Sequence, residues 1–270
     1  MEILDRRPII KKKDYDVIVA GGGIAGISAA VSASREGAKT LLIDKNIILG
    51  GLATIGLISL YEPLCDGCGK KMIGGIAEEL IQLAVRYGFD NLPEEWRDGN
   101  NDKETNNRYS TFFSPTIFAM ALDKYLQENN VDILLDTLVT FPVMEGSVCK
   151  GIVAEAREGR VFYGTKVVVD ATGDASVLYQ AGVPTVEGEN FLSYVAHFTS
   201  YELAEKFVAD KNMCKFRKWI GVGSNLYGKG HPEGMKLFKG VTSEDVTEFV
   251  LTGRKMLFEK IISADRNSRD

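Results

Sequence analysis

The sequence predicts an α/β protein built on a parallel sheet, and three observations carry that expectation. Residues 16–20 (Asp-Val-Ile-Val-Ala) are a short β-branched run without alternation, the pattern of a strand buried on both faces. That run leads into a glycine-rich turn, a helical stretch of small residues and a second apolar strand, the order of a right-handed βαβ crossover. A third run of the same kind, Val167-Val168-Val169-Asp170, returns late in the chain. Composition agrees. Of 270 residues 45% are apolar and 26% charged, and 32 Lys and Arg against 37 Asp and Glu leave a formal net charge of −5. This balance excludes collagen-like and disordered chains, and it lacks the basic footprint of a protein that binds nucleic acid by bulk charge.

The elements follow in order. Residues 1–13 carry Asp5, Arg6, Arg7 and Lys11 to Lys13 with no apolar core of a signal peptide, and read as a solvated leader. Residues 27–36, rich in Ala and Ser and free of Pro, predict a closely packed helix that Gly37 ends. The second strand is 40–43, and the glycine-punctuated apolar stretch 50–61 reads as a buried loop. Over 73–87 the spacing of Ile76, Leu80, Leu83, Ala84 and Tyr87 predicts a helix with those residues on its inner stripe. Residues 91–108, with Asn100, Asn101, Asn106 and Asn107, read as a solvated polar loop, long enough for a lid or binding loop.

Ser114 before Pro115 is a helix start, an N-cap followed by proline in the first turn, and the helix should run to about residue 129. Its inward residues are Ile117, Phe118, Ala121, Leu122 and Tyr125. Strands are expected at 131–135 and 138–143, then a hairpin of 148–156 and 160–164 turned at Glu158-Gly159. A separate strand, 167–170, opens through residues 171–174 into a short helix closed near Gly182. Beyond Glu189 the character changes. Residues 192–199 alternate like a half-buried strand, and 201–210, 243–251 and 253–262 read as three helices. No stretch reaches the roughly 18–20 apolar residues that span a bilayer. The four cysteines (Cys65, Cys68, Cys149, Cys214) are too few and scattered for a disulfide scaffold, so a reducing cytoplasm is the expected location.

Gly21, Gly23 and Gly26 occupy the G-x-G-x-x-G positions between a predicted strand and a predicted helix. Gly21 permits the tight turn, Gly23 lets backbone approach a pyrophosphate, and Gly26 lets the helix pack on its strand, with Ala30 continuing that small face. The free amides and positive dipole at the helix start attract the diphosphate. Asp44 ends the second strand about 20 residues on, where a carboxylate accepts hydrogen bonds from a ribose with a free 2′-hydroxyl. The motif in this context predicts an adenine dinucleotide, and by itself it does not separate FAD from NAD.

Three further stretches carry a family resemblance. Residues 44–54, from Asp44-Lys45 through Gly50-Gly51 to Thr54, look like the second-strand acid and glycine pair of flavoproteins. Residues 131–151 resemble their strand-and-hairpin insert, and 167–174, ending Ala171-Thr172-Gly173-Asp174, resemble their second nucleotide-contacting segment. Order and spacing most resemble the FAD-dependent oxidoreductase family of the glutathione-reductase-like, two-dinucleotide-binding superfamily. The resemblance is densest over residues 13–184.

It implies a Rossmann-like FAD-binding domain over 12–189, a parallel sheet with a hairpin or meander insert and a loop-and-helix insert at about 61–110. A partial substrate or cap domain over 190–270 would follow. It further implies extended FAD with Gly21, Gly23 and Gly26 on the diphosphate and Asp44 on the adenosine ribose, Lys45 beside it. The Val139 backbone would lie near adenine, Gly50, Gly51 and Thr54 toward the ribityl chain or flavin, and Ala171, Thr172, Gly173 and Asp174 beside the diphosphate. Two departures stand out: the ribose acid is Asp44 where the longer Glu is usual, and the family's chains usually continue past this length to a return segment. A truncated or split product is therefore an expectation.

Candidates for chemistry beyond the flavin are sparse. Cys65-Asp66-Gly67-Cys68 is a dithiol that a flavin could reduce, although in disulfide reductases the redox pair follows the glycine pair almost at once. A zinc site would need two more ligands, so no metal is expected. His197, with Val195 and Thr199 on its face, is a candidate acid, base or polariser, against the blander reading of a structural histidine, while His231 reads as surface loop.

The leading expectation is an FAD-dependent oxidoreductase acting on a small-molecule substrate, with neither nucleic acid nor membrane as partner. The alternatives are an NAD-using enzyme, a dehydrogenase or thiazole-synthase-like, and a non-catalytic nucleotide-binding fragment. The protein partner expected in these readings is a second copy or a separate C-terminal half.

Overall fold

A computed structural model describes residues 7–88, 91–99, 105–210 and 218–263. Arg6, Asn100, Asn101, Cys214 and the polar tail from Asp265 lie outside the described residues. The chain divides into two compact units, residues 1–185 and 186–270.

In the first unit the elements are β1 (Ile10–Lys11), β2 (Tyr15–Ala20), α1 (Ile24–Arg35), β3 (Thr40–Ile43), β4 (Leu60–Tyr61) and α2 (Ile76–Arg86). They continue as β5 (Thr111–Phe112), α3 (Pro115–Glu128), β6 (Asp132–Leu134), β7 (Leu138–Glu145), β8 (Val148–Ala156), β9 (Gly159–Asp170) and α4 (Ser176–Gln180). The main sheet has the order β6-β3-β2-β9-β8-β7, with β1 laid on β9. From β6 to β9 the pairing is parallel, and β9-β8-β7 form an antiparallel meander. This is a Rossmann-like α/β fold.

The unalternated run of β2 is explained by its two covered faces. Val19 packs with Leu42 beneath Ile27, Ala30 and Val31 of α1 and Phe118, Leu122 and Leu126 of α3. Ile18 packs on the opposite face with Leu41, Ile43 and the meander residues Ile152, Ala154 and Val161. Strand register alternates side chains between the faces, so a fully apolar strand is what two covered faces require.

Several expectations are corrected. Residues 160–164 and 167–170 are one strand, β9: its first half pairs antiparallel with β8 and its second half parallel with β2. The polar break at Thr165-Lys166 marks where the backbone changes partner, not where it stops; Thr165 Oγ1 donates to the Asp16 carbonyl at 3.0 Å. The basic leader docks rather than floating free. The Lys12 amide donates to the Phe162 carbonyl at 2.9 Å. Lys12 and Lys13 form ion pairs with Glu158 and Asp132, each at 2.7 Å.

The 50–61 loop is only partly buried, with Gly50, Thr54 and Ser59 inside. It closes on itself through the Gly56 amide to the Gly51 carbonyl (3.1 Å) and the Ile58 amide to the Leu52 carbonyl (2.9 Å), which turns Leu52, Ile55 and Leu57 outward. Leu52 is 72% exposed.

Tyr87 is exposed at the end of α2, which instead uses a second buried face, Ile81 and Val85. That face joins Leu64, Leu92, Trp96 and Tyr109 in a third cluster. The 91–108 stretch is therefore anchored where it is described. Trp96 is fully buried, stacks on Tyr109 with centroids 4.9 Å apart, and donates its indole N–H to the Asn107 carbonyl at 2.9 Å. The α3 start is as expected, with the Ser114 hydroxyl accepting from the Ile117 amide.

The second unit contains β10 (Ser193–Phe198), α5 (Tyr201–Asp210), β11 (Lys218–Gly223) and α6 (Ser243–Ser263). β10 and β11 form an antiparallel ribbon. The two helices expected at 243–251 and 253–262 are one, because Gly253 is not a stop. Its Cα sits against the Tyr194 ring, where a Cβ would come within 2.8 Å of Tyr194 Cβ, Cγ and Cδ2. Arg254 Nε donates to the Tyr194 hydroxyl at 3.1 Å and Lys260 Nζ to the Gly221 carbonyl at 2.7 Å, tying α6 to both strands.

Candidate cofactor site

The carboxyl ends of β2, β3 and β9 open onto one cavity of about 680 Å³, within the range of small-molecule sites. β3 flanks β2 on one side and β9 on the other, so the cavity lies where the strand order reverses, the place open α/β sheets bind ligands.

The first wall is shaped by absent side chains. Gly21 has φ +107° and donates its amide to the Ile43 carbonyl at 2.8 Å; a Cβ there would collide with the Ala171 carbonyl oxygen. A Cβ on Gly26 would strike the Gly21 carbonyl oxygen, so Gly26 sets how closely α1 approaches the turn. Gly23, the residue before α1, faces open space, with nothing within 4 Å of where its Cβ would be. The first turn of α1 carries no acidic residue and no side-chain cap. Its leading amides and positive dipole are left for an anion.

Asp44 stands at the end of β3 with its carboxylate already engaged. Oδ2 accepts from the Gly22 amide at 2.5 Å, and Oδ1 accepts from the Asn46 amide at 2.6 Å and its Nδ2 at 2.9 Å. The acid therefore holds the glycine turn as well as lining the cavity. Lys45 is exposed on the same rim.

The third wall is residues 171–176, with Asp170 behind it. Asp170 Oδ1 accepts from the Thr172 amide (3.0 Å) and hydroxyl (2.6 Å), and Oδ2 from the Leu178 amide (2.9 Å). Burial alone would raise the Asp170 carboxyl. The Thr172 hydroxyl and the amides of Leu178, Thr172 and Val177 outweigh it and hold the group below the ordinary aspartate range. The apolar lining comes from Leu52, Leu60, Phe113, Phe118 and Tyr61. Tyr61 donates its hydroxyl to the Ala77 carbonyl at 2.8 Å, and burial, with Tyr109 adding, pushes its phenol up to about 12. It stays a protonated donor.

Of the residues singled out in the sequence, Gly21, Gly23, Asp44, Lys45, Gly50, Gly51, Val139, Ala171, Thr172, Gly173 and Asp174 line this cavity together. Gly26 lies behind the wall, inside α1. Thr54 is buried, its hydroxyl donating to the Leu49 carbonyl at 2.6 Å, so it braces the 49–54 loop from within.

Cys65 and Cys68 are not on the cavity wall. Cys65 is buried, its sulfur accepting from the Tyr109 amide at 3.1 Å, while Cys68 is exposed near the tip of a short hairpin whose stem pairs Cys65 with Lys71. His197 lies in the second unit with its ring edge-on to Trp219, centroids 4.0 Å apart. His231 accepts the Leu192 amide on Nδ1 at 3.0 Å, so it is built into its loop rather than loose on the surface. Sequence reasoning missed Asn46, Tyr61, Glu62, Phe113, Phe118 and Ser176 on the wall and Asp170 behind it. Asp170 had a readable signal, an acid ending a buried strand as Asp44 does.

Fold and cavity together define a dinucleotide-binding α/β protein. The sequence profile of the FAD dependent oxidoreductases matches residues 16–220, and the chain belongs to that family, whose cofactor is FAD. The NAD-using alternative is not favoured by this match.

Among solved structures, the chain is similar to L-proline dehydrogenase from P. horikoshii, with 14% identity and TM-score 0.51 over 92% of this chain and 79% of that one. It is also similar to a geranylgeranyl bacteriochlorophyll reductase-like protein from Thermoplasma acidophilum, with 15% identity and TM-score 0.52 over 96% of this chain and 64% of that one. Thermovibrio ammonificans THI4 matches at 16% identity and TM-score 0.44, over 66% of each chain. At these identities the likeness is one of fold. Among the described residues no helix is long and apolar enough to cross a membrane.

Proposed function

We propose that the chain holds FAD in the cavity at the carboxyl ends of β2, β3 and β9 and acts as an oxidoreductase on a small organic substrate. The observation that carries this reading is the open start of α1, approached through glycines and with neither an acid nor a side-chain cap in its first turn, on the same cavity as Asp44 and the 171–174 turn. Those features fit an anionic diphosphate joined to a ribose. Gly21 and Gly23 would bring backbone to the diphosphate, with Gly26 keeping α1 close enough to present its amides. Asp44, with Lys45 beside it, would meet the adenosine ribose, and Val139 backbone the adenine. Gly50 and Gly51 would border the ribityl chain or flavin, held in place by Thr54. Ala171, Thr172, Gly173 and Asp174 would close the diphosphate from the other side.

When bound, FAD supplies the redox chemistry, taking up or giving a hydride equivalent. The chain's part is to orient and shield it. The apolar walls at Leu60, Phe113 and Phe118 shield the cavity from water, and Tyr61 keeps its proton on a hydroxyl committed to Ala77. The test is a visible absorption spectrum of purified protein before and after incubation with FAD and desalting. Retained flavin bands that bleach with a reductant are expected. A colourless protein that retains no added FAD would overturn the reading.

A further inference from the structure

Thr172 is the one hydroxyl side chain of the 171–174 turn, and its one donor proton is already used. Its O–H donates to Asp170 Oδ1 at 2.6 Å, and its oxygen accepts from the Ser176 amide at 3.2 Å. Its amide is taken as well, by the same Asp170 oxygen at 3.0 Å. Thr172 therefore has neither its amide nor its hydroxyl proton left to donate to a ligand. The turn offers the backbone at Gly173, which adopts φ +91°, and at Asp174.

That shape depends on a charge. Ala175, the residue before α4, has φ +56° and no side-chain cap, so the first α4 amides are met by the residues ahead of it, Ser176 by Thr172 Oγ1 at 3.2 Å and Asp174 Oδ1 at 3.3 Å. Asp170 reaches one turn further from the end of β9, with Oδ2 on the Leu178 amide at 2.9 Å. One carboxylate thus ties together the end of a central strand, the turn facing the cavity and the first turn of the next helix. Each bond it receives is charge-assisted, the stronger class of hydrogen bond.

We propose that Asp170 is the positioning residue of this wall, acting through the Thr172 hydroxyl to hold the Gly173-Asp174 backbone toward the bound dinucleotide. This rests on the reading that FAD occupies the cavity. Asp170 touches no ligand itself. Its role is to make the turn a fixed binding surface in place of a mobile one, so its loss should appear in cofactor affinity more than in folding.

The test is FAD titration, followed by flavin fluorescence, of full-length Asp170→Asn, Thr172→Val and the double variant, with far-UV circular dichroism and thermal midpoints of the cofactor-free proteins alongside. Each single variant should weaken FAD binding about tenfold, the order of a lost charge-assisted hydrogen bond. The double variant should be about as weak as either single one, because both cut the same link. Thr172→Ser, which keeps the hydroxyl, should recover most of the affinity that Thr172→Val loses.

Losses that multiply in the double variant, wild-type affinity in both single variants, or no recovery in Thr172→Ser would overturn the proposal. Should Asp170→Asn fail to fold, the Thr172→Val and Thr172→Ser pair decides alone. Gly23→Leu puts a side chain into the cavity from a position where the added Cβ meets nothing within 4 Å, and it separates the two failures. If that variant binds FAD like the wild type, the cavity reading falls and this proposal with it. If it loses FAD while Asp170→Asn and Thr172→Val keep it, only the role of Asp170 falls.

Discussion

The first unit surrounds a sheet with apolar layers, whereas the second hangs a long helix on a two-stranded ribbon. In residues 1–185 the central strands bury both faces, and Ile18, Val19, Ile27, Leu42 and Phe118 are fully enclosed. Among the described residues of 186–270 the buried apolar side chains are Leu192, Leu203, Phe238 and Leu257, while Val195 (49%) and Trp219 (47%) stay open on the ribbon. Hydrogen bonds from Arg254 and Lys260 join α6 to the ribbon beside those few apolar contacts. A two-stranded ribbon is marginal without a packed face. The difference explains where the cofactor cavity can be: a site needing backbone held to fractions of an ångström is built at the ends of strands whose side chains cannot move.

The strongest way to break this comparison is to cut the two cores. Phe118→Ala removes a fully buried ring that also lines the cavity, and should cost about 3–5 kcal/mol in urea unfolding together with FAD retention. Leu257→Ala in α6 should cost about 2 kcal/mol, the low end for such truncations, because its surroundings are thinner. An equal or larger loss at Leu257 would mean that the second unit's core is not the weaker one.

Next in size is Gly253→Ala. In an ordinary helix interior that change stabilises by about 0.5–1 kcal/mol. Here the new methyl meets the Tyr194 ring, and the expected outcome is a loss of about 1–3 kcal/mol by chemical denaturation. A gain would show that α6 can lift from the ribbon at no cost.

Acid acts on the first unit through Asp170. Its folded carboxyl lies below the ordinary value of about 3.9, so the unfolded chain takes up the proton first. The stability it contributes is complete above about pH 4 and is lost as pH falls through the folded value. Glu79, lowered by its hydrogen bonds from Arg35 at 2.8 and 2.7 Å, acts in the same direction. Thermal midpoints between pH 6 and pH 3 should fall, and fall less steeply in Asp170→Asn; identical slopes would remove Asp170 from the account.

The smallest effect belongs to the docked leader. Lys12→Ala breaks a solvent-facing pair with Glu158 while the Lys12 amide still bonds to Phe162, so the thermal midpoint should not move measurably. A clear drop would mean that the leader's side chains, and not its backbone, hold it to β9.

What could be read from the sequence had local causes. The two-faced burial of β2 and β3, the glycine spacing before α1, Asp44 at a strand end and the Ser114-Pro115 start each follow from a periodicity, a forbidden φ or a cap within a few residues. That is why the α/β class and a dinucleotide site at the glycine turn were legible from the residues, while FAD itself came from the family resemblance.

The tertiary structure decided everything that depends on a distant partner. Only pairing with β8 and then β2 makes residues 159–170 one strand across a polar break. Only Tyr194, far away in sequence, makes Gly253 a packing site instead of a helix stop. Stacking on Tyr109 buries Trp96 inside a stretch that composition marks as solvated. Asp170 and Thr54 look alike as polar residues within a few positions of a glycine, yet one pins the cavity's far wall and the other braces a loop from behind. A sequence states what each segment prefers. Which hydroxyl, ring or carboxylate meets which neighbour is set when the layers close, because those contacts join residues whose separation along the chain carries no local signal.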